Sequence, residues 1–318
     1  MLIGFIILLG GLIVGLHVYA GHFFAHAALE RDHPWYKEMG HKKMNPSVYE
    51  AGDQKIAAIE AMQQEQRAAF WETGVDLTIE ESGQLVARVF RHPEKRPWVI
   101  CVHGYRSNGK RDMAYPGYEW YRRGYQVLIP DLRAHGRSSG KIIGMGWNDR
   151  QDLIAWLAVI RKEDPEAQVI LYGGSMGAST VMMAAGESLP TVSLVIADCG
   201  YTSVYEEFYT MLKQALKLPP TTILWAADPF IRQLAGFSLK EASAVRKLHH
   251  YQGPLMVIHG TGDYFVPVEF AYQVVAASQG PKELHIVAEA PHLSAISYDP
   301  AYFDRIEQFI RLYGTPTH

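Results

Sequence analysis

Three side chains of this sequence are of the right types, and in the right order, for nucleophilic acyl transfer: Ser175, Asp263 and His292. Ser175 is the centre of Gly173-Gly174-Ser175-Met176-Gly177, after the apolar run 168–172 and before a helix-like run. A strand that turns this sharply into a helix holds its serine in a strained conformation, and small residues at the flanks, here Gly173 and Gly177, avoid the clashes. The helix that starts at Ser175 aims its first amides, and the positive end of its dipole, at the reaction centre. The plain alternative is a tight strand–helix turn with a solvent-exposed serine. A serine hydroxyl attacks well only when a base takes its proton and a third group orients that base. Asp263 follows the strand-like run 255–259 in His259-Gly260-Thr261-Gly262-Asp263; His292 follows 283–288 in Ala290-Pro291-His292-Leu293. Taken singly, such an Asp is more often a turn former and such a His more often structural. In register with Ser175 they read as orienting acid and base. Asp198, at the end of the strand after that of Ser175, is the second candidate acid, and is expected instead to hydrogen-bond the turn that follows it.

Acyl transfer also needs donors aimed at the developing oxyanion, each worth roughly 3–4 kcal/mol. The backbone amide of Met176 is one. The other is expected from His103-Gly104-Tyr105, where Gly104 lets the chain turn and the Tyr105 amide faces the site; the Tyr105 side chain either caps the pocket or packs beneath a lid. No cofactor and no metal are expected. His22 and His26 have one-turn spacing but no acidic or cysteine partner, and read as interfacial. No phosphate-binding glycine loop is present, since Gly173–Gly177 lacks the lysine that one requires. His135 reads as part of a turn network, and His249-His250 as a solvated helix end.

The elements that must position these groups follow from the hydrophobic pattern. With 318 residues, 48% of them hydrophobic, and a net charge of −3, the chain has ample core and no basic stripe for nucleic acid. Cys101 and Cys199 lie in or beside apolar runs and read as buried free thiols. Residues 75–80 and 85–91 form a hairpin pattern across Ser82-Gly83. From Pro97 onward, strand-like runs at 98–102, 126–130, 168–173, 193–198, 255–259 and 283–288 alternate with helical patterns near 110–123, 147–163, 176–187, 267–278 and 300–313. Such alternation of Val/Ile/Leu strands with helices predicts a mostly parallel sheet covered on both faces. Residues 201–251 break the alternation. They are rich in aromatics, and Pro219-Pro220 splits them into helical pieces, as in a lid over the carboxyl ends of the strands. Phe208, Trp225 and Phe230 are expected to line an acyl pocket there, the alternative being surface helices packed on the core.

Between Met1 and Leu29 there is no Asp, Glu, Lys or Arg, and 2–20 is apolar except for His17. Roughly 20 such residues span a bilayer core. Ala25-His26-Ala27 resembles a cleavage site, but the basic stretch that opens a signal peptide is missing. A helix docked on the soluble domain is the third possibility. The expected organisation is a membrane anchor at 1–29, a linker with an amphipathic helix at 30–74, and a catalytic domain at 75–318. Arg31, Lys37, Lys42 and Lys43 follow the span, which leans toward a cytoplasmic catalytic domain.

Across residues 75–318 the sequence resembles the α/β-hydrolase superfamily, with landmarks at His103-Gly104, the segment 131–138, the turn at Ser175, Gly262-Asp263 and His292. It is similar to single-pass, membrane-anchored members described as esterases or peptidase-like proteins. In the segment 131–138, Ala134 stands where the superfamily has glycine. The resemblance implies an α/β-hydrolase fold with a helical lid, a Ser-His-Asp triad, and a small ester or acyl substrate. A carboxylesterase is the expected activity. Thioesterase, lipase, amidase and peptidase chemistry use the same triad, and a catalytically silent binding scaffold is the non-enzymatic alternative.

Overall fold

The computed structural model describes residues 2–35, 54–80 and 83–314. Helices α1 (Leu2–Leu29) and α2 (Gln54–Glu72) precede the hairpin β1 (Val75–Ile79) and β2 (Leu85–Phe90). Then come β3 (Trp98–Val102), α3 (Gly109–Arg122), β4 (Gln126–Asp131), α4 (Asp149–Glu163), β5 (Val169–Gly174), α5 (Met176–Ala185) and β6 (Val192–Asp198). A helical excursion follows: α6 (Val204–Thr210), a π-turn over Met211–Ala215, α7 (Pro220–Ala235) and α8 (Ala244–Leu248). The chain returns through β7 (Leu255–Gly260), α9 (Glu269–Ala277), β8 (Lys282–Val287), α10 (Ala295–Tyr298) and α11 (Tyr302–Tyr313).

The eight strands form one sheet in the order β1-β2-β4-β3-β5-β6-β7-β8. Strands β3 to β8 run parallel, and β2 alone runs against them, antiparallel to both β1 and β4. Every residue of β3, β4, β5 and β7 is buried, which is why these strands read as unbroken apolar runs rather than alternating ones. Two hydrophobic clusters result. One is built with Leu153 and Trp156 of α4, Val181 of α5 and Val274 of α9. The other is built with Phe70 of α2, Trp120 of α3 and Phe309 of α11. The expected sheet and its crossover helices are thus those observed. The amphipathic segment is helical from Gln54, and residues 49–53 lie outside those described.

The N-terminal helix departs from a free anchor. Gly10–Leu29 is long and apolar enough to cross a membrane, yet 35% of that stretch is buried inside the protein. Leu12, Val14, Leu16, Val18 and Tyr19 are exposed, whereas Phe24, Ala25, Ala27, Ala28 and Leu29 are buried. Gly21 meets the backbone of Ala226 in α7, closer than a side chain would allow, and Phe24 sets its ring edge-on to Phe208 of α6 at 5.2 Å. The last two turns of α1 therefore belong to the core. Beyond them, Glu30 bridges to Ile142, and the Arg31 guanidinium donates to the carbonyls of Gly136 and Ser138. Arg31 is therefore engaged with the domain. Lys37, Lys42 and Lys43 lie outside the described residues.

Candidate active site

Ser175 sits between β5 and α5 at φ 56° and ψ −122°, a region that L-residues enter only when the surroundings enforce it. Here the surroundings do. The Ser175 amide donates to the carbonyl of Asp198 at 2.9 Å, which ties the turn to β6. A Cβ on Gly177 would run into the Val102 carbonyl, and one on Gly173 into the carbonyl of Gly177. Only glycine lets α5 start this close to β3 and β5.

The structure brings Asp263 and His292 to this turn from the loops after β7 and β8. His292 Nε2 lies 2.8 Å from Ser175 Oγ, and His292 Nδ1 lies 2.7 Å from Asp263 Oδ2. The other carboxylate oxygen of Asp263 accepts the amides of Phe265 and Val266, both at 2.9 Å. Burial works against charge on Asp263, but His292, His259 and the Val266 amide outweigh it and hold the carboxyl well below the usual range. An ionised carboxylate can only accept, so the imidazole proton sits on Nδ1 and Nε2 is left to accept from the Ser175 hydroxyl. Asp198 is not in this chain. Its Oδ2 accepts from the Tyr302 hydroxyl at 2.7 Å, and Tyr302 in turn contacts Tyr172 at 2.9 Å. The expectation that it bonds the following turn is corrected accordingly: α11 supplies a hydroxyl that the local sequence does not reveal.

The loop after β3 comes equally close. A Cβ on Gly104 would lie 3.3 Å from that of Ser175. The amides on either side of Tyr105 are both held: Gly104 donates to Asp112 Oδ2 and Arg106 donates to His135 Nε2, each at 3.0 Å. His135 can accept because burial, with His103 beside it, lowers its pKa to about 3 and keeps it neutral. These two bonds set the peptide planes around Tyr105. Its hydroxyl donates to the Ala28 carbonyl of α1 at 2.6 Å, so the side chain packs against α1 while its ring remains in the cavity wall.

Ser175 and His292 open into a cavity of about 550 Å³. The cap lines it with Glu207, Thr210, Met211 and Gln214, and α2 with Gln63, Gln64 and Arg67. The three aromatic residues expected in that lining are elsewhere. Phe208 is buried against Phe24, Phe230 lies edge-on to His22 at 5.0 Å, and Trp225 is 79% exposed. The reason is helical phase. Residues 207, 210, 211 and 214 recur at the spacing of one face, and 208 falls to the side of it, where Phe24 of α1 covers it.

Several polar groups at the site carry no sequence motif. His259 lies one turn before Asp263, with Nε2 2.9 Å from the Val266 carbonyl and 3.4 Å from Asp263 Oδ2; its spacing of four from Asp263 was the available signal. Glu207 Oε2 is closed off from water and has no hydrogen-bond partner among the described residues. Burial, with the Asp263 charge adding to it, pushes the Glu207 carboxyl up to about 8. Cys199, Asp263 and His292 place ligand atoms within 4.8 Å of one another. Both nitrogens of His292 are already engaged, and burial pushes the Cys199 thiol up. Asp263 and His292 belong to the hydrogen-bonded relay that ends at Ser175. His26 pairs with Glu30 at 2.8 Å.

Residues 93–235 match the model of the family described as serine aminopeptidase, S33. YqkD of Bacillus subtilis is 28% identical over 217 residues, covering 67% of this chain and 70% of that protein. YfhR of Salmonella typhi is 24% identical over 237 residues, covering 72% and 76%. A crystal structure of the Pyrococcus furiosus esterase Pf2001 superposes with a TM-score of 0.59 at 25% identity, covering 76% of this chain and 91% of that one.

Proposed function

We propose that this chain, whose fold is that of the α/β-hydrolases and whose residues 93–235 match a hydrolase family, cleaves carboxylic esters through a Ser175 acyl-enzyme. The observation that carries the reading is the unbroken relay from Asp263 through His292 to Ser175, with contacts of 2.7 and 2.8 Å. Ser175 Oγ attacks the ester carbonyl while its proton passes to His292 Nε2. Asp263 steadies the imidazolium, and the amides of Met176 and Tyr105 receive the oxyanion. His292 then gives its proton to the departing alkoxide. It next takes one from water, whose oxygen bonds the acyl carbon; Ser175 Oγ then leaves and takes the proton back from His292. Ser175→Ala is expected to abolish turnover of p-nitrophenyl butyrate and labelling by a fluorophosphonate, with the circular dichroism spectrum retained. Turnover equal to that of the native protein would overturn the assignment.

An amide or peptide substrate is the second reading, favoured by the description of the matching family. Recognition of a free amino terminus calls for an ionised acid in the cavity. Glu207, the acid on the cap wall, is shifted toward its neutral form by burial, and Asp112 is occupied by the Gly104 amide and the Ser107 hydroxyl, which supports esters over aminopeptides. The exposed apolar half of α1 supports a membrane anchor, with the catalytic domain docked on its other end.

A further inference from the structure

One side of the Ser175 cavity is supplied by α2 and the first turn of α3, and it is cationic. Arg67 and Arg111 both line it. Arg67 Nη1 donates to the Arg111 carbonyl at 3.0 Å, so the two residues are held together. Neither guanidinium meets a carboxylate among the described residues, whereas Arg88, Arg91, Arg122, Arg133, Arg137 and Arg150 each do. Arg67 is half-buried and Arg111 exposed, so an anion entering the cavity reaches two cations that no carboxylate among the described residues already holds. Planar guanidinium groups suit a carboxylate or phosphate, which they bind in paired hydrogen bonds.

The acids of the same cavity are otherwise engaged. Asp112 accepts from the Gly104 amide and the Ser107 hydroxyl. Asp198 is taken by Tyr302, and its burial favours the neutral form. Glu207 is neutral for the same physical reason. Arg106, also in the wall, spends its guanidinium on carbonyls at the end of α1. That leaves Arg67 and Arg111 to face whatever fills the space beside Ser175.

We propose that Arg67 and Arg111 receive an anionic group, a carboxylate or a phosphate, carried by the ester substrate, so that the enzyme selects anionic over neutral esters. The inference rests on the reading of Ser175 as an ester-cleaving nucleophile. The test compares mono-p-nitrophenyl glutarate with p-nitrophenyl valerate, which differ in the terminal carboxylate. The ratio of their kcat/KM values is expected to exceed one in the native protein and to shrink with added salt. In the Arg67→Gln/Arg111→Gln double variant the ratio should fall by about tenfold, mostly through KM. Free glutarate and inorganic phosphate, tried as competitors of the valerate ester, separate the two sources of the anion; the double variant should lose the stronger competition. Turnover of both esters with a ratio unchanged by the double substitution, or with neither anion competing, overturns this inference alone. Failure of the native protein to turn over either ester, with Ser175 unlabelled by a fluorophosphonate, overturns the underlying reading and this one with it.

Discussion

At the scale of single residues, the site separates two buried aspartates by what they touch. Asp263 accepts two amides and a histidine and is held ionised, while Asp198 accepts a tyrosine and is pushed toward its neutral form. Asp263→Asn is expected to lower kcat by about 10⁴-fold, because an amide can also donate and so permits the wrong imidazole tautomer. Asp198→Asn should cost far less, since no contact joins its carboxylate to the imidazole among the described hydrogen bonds. Steady-state kinetics on one p-nitrophenyl ester decide it, and the reverse ranking would make Asp198 the orienting acid. The serine, acid and histidine were legible because each follows a strand, in a fixed order, within turn-forming residues. His259, Asp112 and Glu207 were not. Their importance arises from interactions between residues 4 to 56 positions apart in the chain, and no local pattern marks a carboxylate that will end up facing a cavity.

At the scale of elements, the link that sequence reasoning missed runs from α1 to the loop after β3. Arg106, at φ 52°, sends its guanidinium to the carbonyls of Ala27 and Glu30 at 2.8 Å and of Arg31 at 2.9 Å. A cation thus sits on the carbonyl-rich, negative end of α1, and its own amide is held by His135 beside Ser175. Arg106→Ala is expected to cost about 2–4 kcal/mol of stability, by stranding several carbonyls and loosening α1. It should also lower kcat more than it raises KM, because the loop proposed to supply the Tyr105 oxyanion donor loses its brace. Arg106→Lys should restore little, since a single ammonium cannot span carbonyls that a planar fork reaches together. Melting curves and kinetics of the three proteins check this, and full rescue by lysine would refute the bracing role. The same contact explains the misplaced lid aromatics. A cap helix apolar on more than one face does not reveal which face meets the cavity until its second partner, α1, is known.

At the scale of the whole molecule, the question is whether α1 can be removed. A hydrophobic stretch of this length reads the same whether it crosses a bilayer or lies on a domain, because the two environments select the same side chains. If α1 were an anchor alone, a chain beginning near Pro46 would be soluble and active. The structure argues otherwise. Removing Phe24 to Leu29 uncovers Phe208, strips Arg106 and Tyr105 of their acceptors, and deletes two fully buried side chains, Ala25 and Leu29. Fully burying one Phe or Leu contributes about 1.5–3 kcal/mol. Losing Phe24 and Leu29 takes about 3–6 kcal/mol from a domain whose total stability is of order 5–15 kcal/mol. A chain beginning near Pro46 is thus expected to be recovered largely aggregated, or to melt far below the native protein. One beginning at Ala20 keeps the docked turns, sheds most of the exposed apolar half, and should be soluble and turn over p-nitrophenyl butyrate. Soluble yield, thermal melting and turnover of the two truncated chains settle the point. Equal stability and activity of the pair would mean that α1 is an anchor and nothing more.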